Sequence, residues 1–392
     1  MSGDWLTEIE VTADWLVAFR RTLHRHPEPS WEEHRTTAAI AERLSAVGLE
    51  PRIGPGGTGV VCDIGDGSGP MVVLRGDIDA LRLPDVKDVP YRSEVPGVCH
   101  ACGHDVHATC VLGAGLALAR SGAVTRGRVR LLFQPAEEAV PGGAAAMVEA
   151  GLVDGAGAIF ALHCDPNLEV GSIGLSPGPI TSASDLIDIR VKGPGGHTAR
   201  PHRTVDVVHV IAKLAADLPA GLAKLSDSRD AVNLTFGAVE AGDASNVIPT
   251  EGRLRGSLRA AGRTSWEQAG PRLRTLIAAI AEPFGATWEL DHLIGAPPIV
   301  NDPWAVTVMQ EAAQAHLPGA TLVPTVQSGG GEDFSWFLDR VRGAYARLGV
   351  RTPGAQVVDI HASAFDVDER AIPLGARLLA GSALAALTAL SV

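Results

Sequence analysis

Two short stretches carry residue types that could do hydrolytic chemistry. One reads His100-Ala101-Cys102-Gly103-His104-Asp105-Val106-His107 and offers a thiol and imidazoles at close spacing. The other reads Phe133-Gln134-Pro135-Ala136-Glu137-Glu138 and offers two adjacent carboxylates. A thiolate, an imidazole and a carboxylate are the donors that bind a Zn²⁺-like cation. A second carboxylate beside the bound one is the proton acceptor that a metal-activated water requires. The chemistry these residues point to is metal-assisted hydrolysis of an amide.

Each feature also has a plainer reading. Adjacent glutamates on a surface are usually just solvated. Glu137 and Glu138, however, follow an apolar run and Pro135, and they precede Pro141-Gly142-Gly143. Neighbouring residues leave the backbone in different directions, so one carboxylate can bind metal while the other faces its water. Cys102 shares a glycine-containing loop with His104 and reads as a ligand; the alternative is a buried inert thiol. Cys99 and Cys102 form a C-x-x-C pair, but no thioredoxin-like context and no second pair accompanies them. Cys99 therefore reads as a structural free thiol. His163 and His361 are single histidines, packed as readily as ligating. His197 sits in Gly193-Pro194-Gly195-Gly196-His197. That glycine-rich approach fits contact with a ligand, or simply a turn.

The elements that must position these residues follow from hydropathy patterning. A helical segment over 15–47 breaks at Pro27 and resumes near Trp31. Short apolar runs at 60–64, 71–75, 129–133, 158–162 and 344–348 read as buried strands, with helical patterns between them such as 108–120. A short strand at 357–360 is expected before His361. This alternation predicts an α/β fold with a mostly parallel sheet. Asp77 and Asp79, Glu137 and Glu138, and His163 then fall at three strand ends, where open α/β sheets collect their ligands.

The middle of the chain differs. It reads strand 185–191, helix 205–218, strands 231–239 and 252–258, helix 265–284 and strand 287–293. That order, β-α-β-β-α-β, predicts a ferredoxin-like α+β domain over 184–294, inserted into a catalytic domain made of 1–183 and 295–392. Pro/Gly-rich stretches at 176–179 and 295–298 fit hinges. Arg253, Arg255 and Arg259 alternate along one strand face, where a solvated row and a carboxylate-binding row are both open readings.

Composition narrows the function classes. Hydrophobic residues make up 46% and charged residues 20%, with a net charge of −12. The acidity argues against nucleic-acid or anionic-membrane partners. No basic segment followed by an apolar stretch opens the chain, and no apolar run of membrane-spanning length is apparent. Five sparse cysteines fit free thiols in a reducing cytoplasm.

Taken in order, the landmarks resemble a known family nearly end to end. They are Arg21-Thr22-Leu23-His24-Arg25-His26-Pro27-Glu28, Leu74-Arg75-Gly76-Asp77-Ile78-Asp79-Ala80-Leu81, His100 to Asp105, Phe133 to Glu138, Gly195-Gly196-His197, Asn246-Val247-Ile248-Pro249, Gly331-Glu332-Asp333-Phe334 and the His361 to Phe365 segment. The chain resembles the dinuclear metal amidohydrolases that include hippurate hydrolases, bacterial aminoacylases and plant auxin-conjugate hydrolases.

The resemblance implies a phosphorylase/hydrolase-like zinc exopeptidase fold and two divalent ions per chain (Zn, Mn, Co or Ni). It implies Cys102, His104, Glu138, His163 and His361 as ligands, with Cys102 bridging, and Glu137 as general base. On this reading His197 stabilises the oxyanion, Asp77 and Asp79 stand behind the ligands, and Asn246 and Arg255 hold the substrate carboxylate. The expected substrate is an N-acyl amino acid. Dipeptide hydrolysis and a catalytically idle metal-dependent binding protein are the alternatives, and a homodimer through the inserted domain is expected. The chain departs from the family's wording at Ser363, at Val106, at Leu81-Arg82-Leu83-Pro84 and at Pro29-Ser30-Trp31, without losing a ligand.

Overall fold

The computed structural model describes residues 4–391. Met1, Ser2 and Gly3, part of the N-terminal stretch read for a secretory signal, lie outside them. The chain divides into two compact units: residues 1–178, 300–326 and 336–392, and residues 179–299 with 327–335. The stretch 184–294, expected as an insertion, lies within the second.

The first unit is built on an eight-stranded mixed sheet. Its four central strands, Arg128–Gln134, Met71–Asp77, Ala156–Glu169 and Gly343–Arg351, run parallel. Val60–Gly65 joins antiparallel on one side and Ser172–Gly174 on the other. The centre is parallel, as expected, and the edges are not. Met71–Asp77 is buried along its whole length, which explains its unbroken apolar run.

The helix His104–Ser121 lies against Trp5–Arg25 and Ala371–Leu390. It is apolar all round because it is buried almost throughout. Positive-φ glycines, Gly103 at φ 88° and Gly122 at φ 65°, bound it. Trp5–Arg25 starts about ten residues before the expected helix, with the Asp4 carboxylate accepting from the Leu6 N–H. Ala371–Leu390 corrects another expectation: it is long and apolar enough to cross a membrane. Here that apolarity is spent on the core, where Ile372, Leu378, Leu379 and Ala383 are fully covered.

The second unit carries a four-stranded antiparallel sheet in the order Asn233–Glu240, Glu251–Ala260, Ala183–Lys192, Thr287–Ala296. Numbered along the chain this is 2-3-1-4, the ferredoxin-like arrangement. The helices Val207–Leu225 and Arg263–Ala281 pack on each other and on the sheet, burying Ile187, Ile189, Leu254, Leu214 and Leu273. Each such side chain contributes about 1.5–3 kcal/mol.

One of the buried polar residues of this unit is an aspartate. The fully buried Asp185 accepts from Trp266 Nε1 at 2.8 Å, His292 Nε2 at 2.7 Å and the Gly295 N–H at 3.1 Å. Asp185→Ala would strand these donors, so we expect it to lower unfolding stability by at least about 3 kcal/mol, measured by chemical denaturation. A loss below about 1 kcal/mol would contradict this account of the network.

Candidate metal centre

The carboxyl ends of the central strands deliver the candidate residues. Asp77 is the last residue of Met71–Asp77, and Asp79 follows in the next turn. Glu137 and Glu138 follow Arg128–Gln134. His163 lies inside the long strand Ala156–Glu169 rather than ending it, because pairing with Gly343–Arg351 carries that strand past His163 to Asp165. No strand forms at 357–360; His361 instead sits in a turn at φ 62°, its N–H bonded to the Ala101 carbonyl at 2.8 Å. That bond ties it to the loop bearing Cys102.

These side chains converge. Cys102, His104 and His163 offer ligand atoms within 4.8 Å of one another, as do Cys102, Glu138 and His361, and likewise His104, Glu137 and Glu138. Cys102 Sγ lies 3.3 Å from His163 Nε2, and His361 Nε2 lies 3.0 Å from Glu138 Oε1. His104 Nε2 is 3.8 Å from Glu137 Oε2. The imidazoles are oriented from behind. His163 Nδ1 donates to the Cys164 carbonyl at 2.7 Å, and His104 Nδ1 to Asp79 Oδ1 at 3.0 Å. In each ring Nε2 is the nitrogen turned toward the centre. Asp79 also accepts from the Glu138 N–H at 3.0 Å and from Ser30 Oγ at 2.7 Å.

Asp77 has a different task. It accepts from His107 Nδ1 at 2.7 Å and from Arg75 at 2.6 Å. His107 Nε2 in turn accepts from the Cys164 N–H at 2.8 Å, so both of its nitrogens are engaged. A further buried network stands beside the Cys102 loop. Asp105, next to His104, accepts from Arg20 Nε at 2.6 Å and His24 Nδ1 at 2.7 Å. Sequence reasoning assigned no role to Arg20, His24, Asp105 or His107. The four-residue spacing of Arg20 and His24 on one helix was the local signal for that pair, and Asp105 and His107 lie in the 100–107 stretch itself.

The electrostatics are those of a cation site. Burial opposes a proton on His104, but Asp77 and then Asp79 outweigh it and raise the imidazole to about 10. Burial, followed by Glu138 and Glu137, pushes the Cys102 thiol well above its ordinary range. The hydrogen bond to Glu138 raises His361. Burial, followed by His107 and Arg347, holds His163 well below the usual imidazole value. His104 Nε2 is buried without a hydrogen-bond partner. Soft and borderline donors, crowded carboxylates and an unsatisfied buried nitrogen all fit a divalent cation.

Residues of the second unit stand as follows. His197 and Asn246 are exposed neighbours: His197 pairs with Val247, and the Thr198 N–H donates to the Asn246 carbonyl at 3.2 Å. Arg255 is half-exposed and ion-paired with Glu240 at 2.5 Å, while Arg253 pairs with Asp188. Arg253 and Arg255 thus lie on an ion-paired part of the sheet face. All five cysteines are free and buried.

Thiol, imidazole and carboxylate donors gathered around the carboxyl ends of the central parallel strands, with the Glu137 carboxylate beside them, are the donor set of a metal-dependent hydrolase. The chain belongs to Peptidase family M20/M25/M40, whose pattern matches residues 73–385. It is 45% identical over 96% of its length to a Rhodococcus jostii chain named "Putative glutamate--cysteine ligase 2-3", of which it spans only 47%. It is 34% identical to the N-acetylcysteine deacetylase of Bacillus subtilis, covering 93% of this chain and 95% of that one. The solved structure of a Bacillus subtilis dinuclear metal binding peptidase from the M20 family matches with a TM-score of 0.83 and 31% identity, over 98% of this chain and 100% of that one. The expected amidohydrolase resemblance is thereby borne out, and the chain is a metal-dependent amidohydrolase.

The turn between Cys102 and His104 offers a direct check on this geometry. A Cβ on Gly103 would lie 2.7 Å from Cys164 Sγ, at a φ of 88°. Gly97 shares a left-handed φ of 75° but has open space around it. Gly97→Ala should cost only the backbone term, about 1–2 kcal/mol. Gly103→Ala should cost more and also weaken metal affinity, read by chelator competition. Equal effects of the two would remove the close approach from the account.

Proposed function

We propose that this chain hydrolyses N-acyl amino acids, and that N-acylated cysteine or a closely related cysteine conjugate is its preferred class. The observation carrying the reaction is the convergence of Cys102, His104, Glu138, His163 and His361 with Glu137 beside them. The cysteine preference rests on the names of two relatives, a deacetylase of N-acetylcysteine and a longer chain named for glutamate–cysteine ligation. Dipeptide hydrolysis is the competing reading.

Two divalent ions, Zn, Mn, Co or Ni, would be held by those five residues, and would polarise the amide carbonyl and acidify a water. The protein's own groups do the remaining work. Glu137 takes the proton from the attacking water and delivers it to the leaving amine. Asp79 holds the His104 ring and the Glu138 backbone, and Asp77 acts through His107. His197 Nδ1 accepts from the Ala199 N–H at 3.1 Å, so Nε2 carries the proton that would be offered to the developing oxyanion. Asn246, beside it, would hold the substrate carboxylate. Arg255 joins only if it leaves Glu240. A cytoplasmic homodimer through the second unit completes the reading.

Glu137→Gln should retain its metal by elemental analysis and lose kcat by about 10²–10⁴-fold. A variant keeping more than roughly a tenth of wild-type kcat would rule out the base. His163→Ala and His361→Ala should lose metal and activity together; full metal content with normal turnover would exclude either residue. N-acetylcysteine, other N-acetyl amino acids and dipeptides, assayed with each metal, decide the substrate: kcat/KM highest for dipeptides would overturn the acyl reading.

A further inference from the structure

The segment between Pro27 and the helix His34–Ser45 contacts the site through backbone groups, and one carboxylate in it has an unusual assignment. Glu33 occupies the N-cap position of that helix, yet its side chain makes no capping bond. Glu28 caps the helix instead, accepting from the Arg35 N–H at 2.9 Å and the Thr36 N–H at 2.8 Å. Glu33 is thereby released to reach elsewhere. Its Oε1 accepts from the Trp31 N–H at 2.9 Å and, 103 residues away in sequence, from the Ala136 N–H at 2.8 Å.

Both donors are strained. Among the described residues only Trp31, Ala136, Ala231 and His361 adopt positive φ without being glycine. Two of these four, Trp31 at φ 67° and Ala136 at φ 52°, give their N–H to the same Glu33 oxygen. A left-handed alanine costs roughly 1–2 kcal/mol and persists only when its surroundings impose it. Glu33 and Ala136 are both fully buried, so no water competes for this bond. Ala136 immediately precedes Glu137. On the far side of the pair, the Glu138 N–H is held by Asp79, which Ser30 of the same segment supports.

We propose that Glu33 is a positioning residue: it holds Ala136 left-handed and so sets the directions in which Glu137 and Glu138 leave the backbone. This rests on the reading of Glu137 as base and Glu138 as ligand. Residues 30–33 thus bracket the paired glutamates, with Glu33 acting before them and Ser30, through Asp79, at the second. Residue Glu33 itself touches neither metal nor substrate; it acts through the loop.

The test uses the metal-loaded enzyme and an N-acyl amino acid that the wild type turns over. Glu33→Ala should lower kcat by roughly 10²-fold, the scale of a positional error near 1 Å, with KM little changed. It should also weaken metal affinity in chelator competition. Glu33→Gln keeps an acceptor oxygen and should recover most of both. Ala136→Gly makes left-handed backbone cost-free, so Glu33→Ala should lose less in that background. If Glu33→Ala does not fold, Glu33→Asp, whose shorter reach misses Ala136, should show the same losses. Wild-type kcat and metal affinity in the folded variant would overturn the proposal. So would a Gln variant as impaired as the Ala variant, or an undiminished loss in the Ala136→Gly background. The chelator assay does not depend on turnover, so it tests the placement of Glu138 even if Glu137→Gln, measured in parallel, stays active.

Discussion

The constraint on which the rest depends is charge crowding around the carboxyl ends of the central parallel strands. Asp77, Asp79, Glu137, Glu138 and the Cys102 thiol occupy one buried neighbourhood with three imidazoles. Gathering so many potential anions away from water is unfavourable unless a positive charge joins them. Asp77 and Asp79 favour a proton on His104, and burial with Glu138 and Glu137 nearby favours the proton on the Cys102 thiol. A divalent cation displaces such protons and concentrates more charge in the same volume. Metal binding there would therefore release protons and strengthen as pH rises.

Such a centre has to be held against its own repulsion. The first unit does this by giving several of the inward-facing donors a fixed partner on their other side. Asp79 restrains His104 and the Glu138 backbone together, and the Cys164 carbonyl restrains His163. His107 looks like a ligand in the sequence but serves as a strut, linking Asp77 to the Cys164 N–H. Left-handed backbone appears where the chain must turn sharply to aim a donor, at Gly103, Ala136 and His361. At Gly103 the residue type absorbs the cost. At Ala136 and His361 side-chain and backbone hydrogen bonds absorb it instead.

What could be read in the sequence follows from how local each signal was. The glutamate pair was legible because an apolar strand, a proline and two carboxylates are contiguous. The ferredoxin-like unit was legible because its periodicities switch cleanly between strand and helix, and its 2-3-1-4 order follows from that sequence of elements. His163 and His361 were not legible from position: one sits inside a strand lengthened by a remote partner, the other in a turn held by Ala101. Only the family resemblance raised them. The terminal helix was missed as an apolar span because Arg377 interrupts the run, while tertiary burial still selects for its apolarity. Arg255 looked like a substrate-binding candidate because alternation reveals a shared face but not the carboxylate on the next strand that already occupies it.

Glu33 marks the limit of local reading most clearly. By position it is an N-cap, and glutamate is a poor one, so its sequence context suggests an unremarkable surface acid. Its burial and its bond to Ala136 come from packing a loop of the first helical pair against a strand end more than a hundred residues downstream. Glu28 makes that possible by taking over the cap. A helix terminus needs a carboxylate acceptor but not a particular one. Supplying it from Glu28 leaves Glu33 to stabilise a backbone conformation that Ala136 would not adopt alone. The precision of the paired glutamates thus depends on a substitution of roles between two other glutamates in a segment that carries no ligand itself.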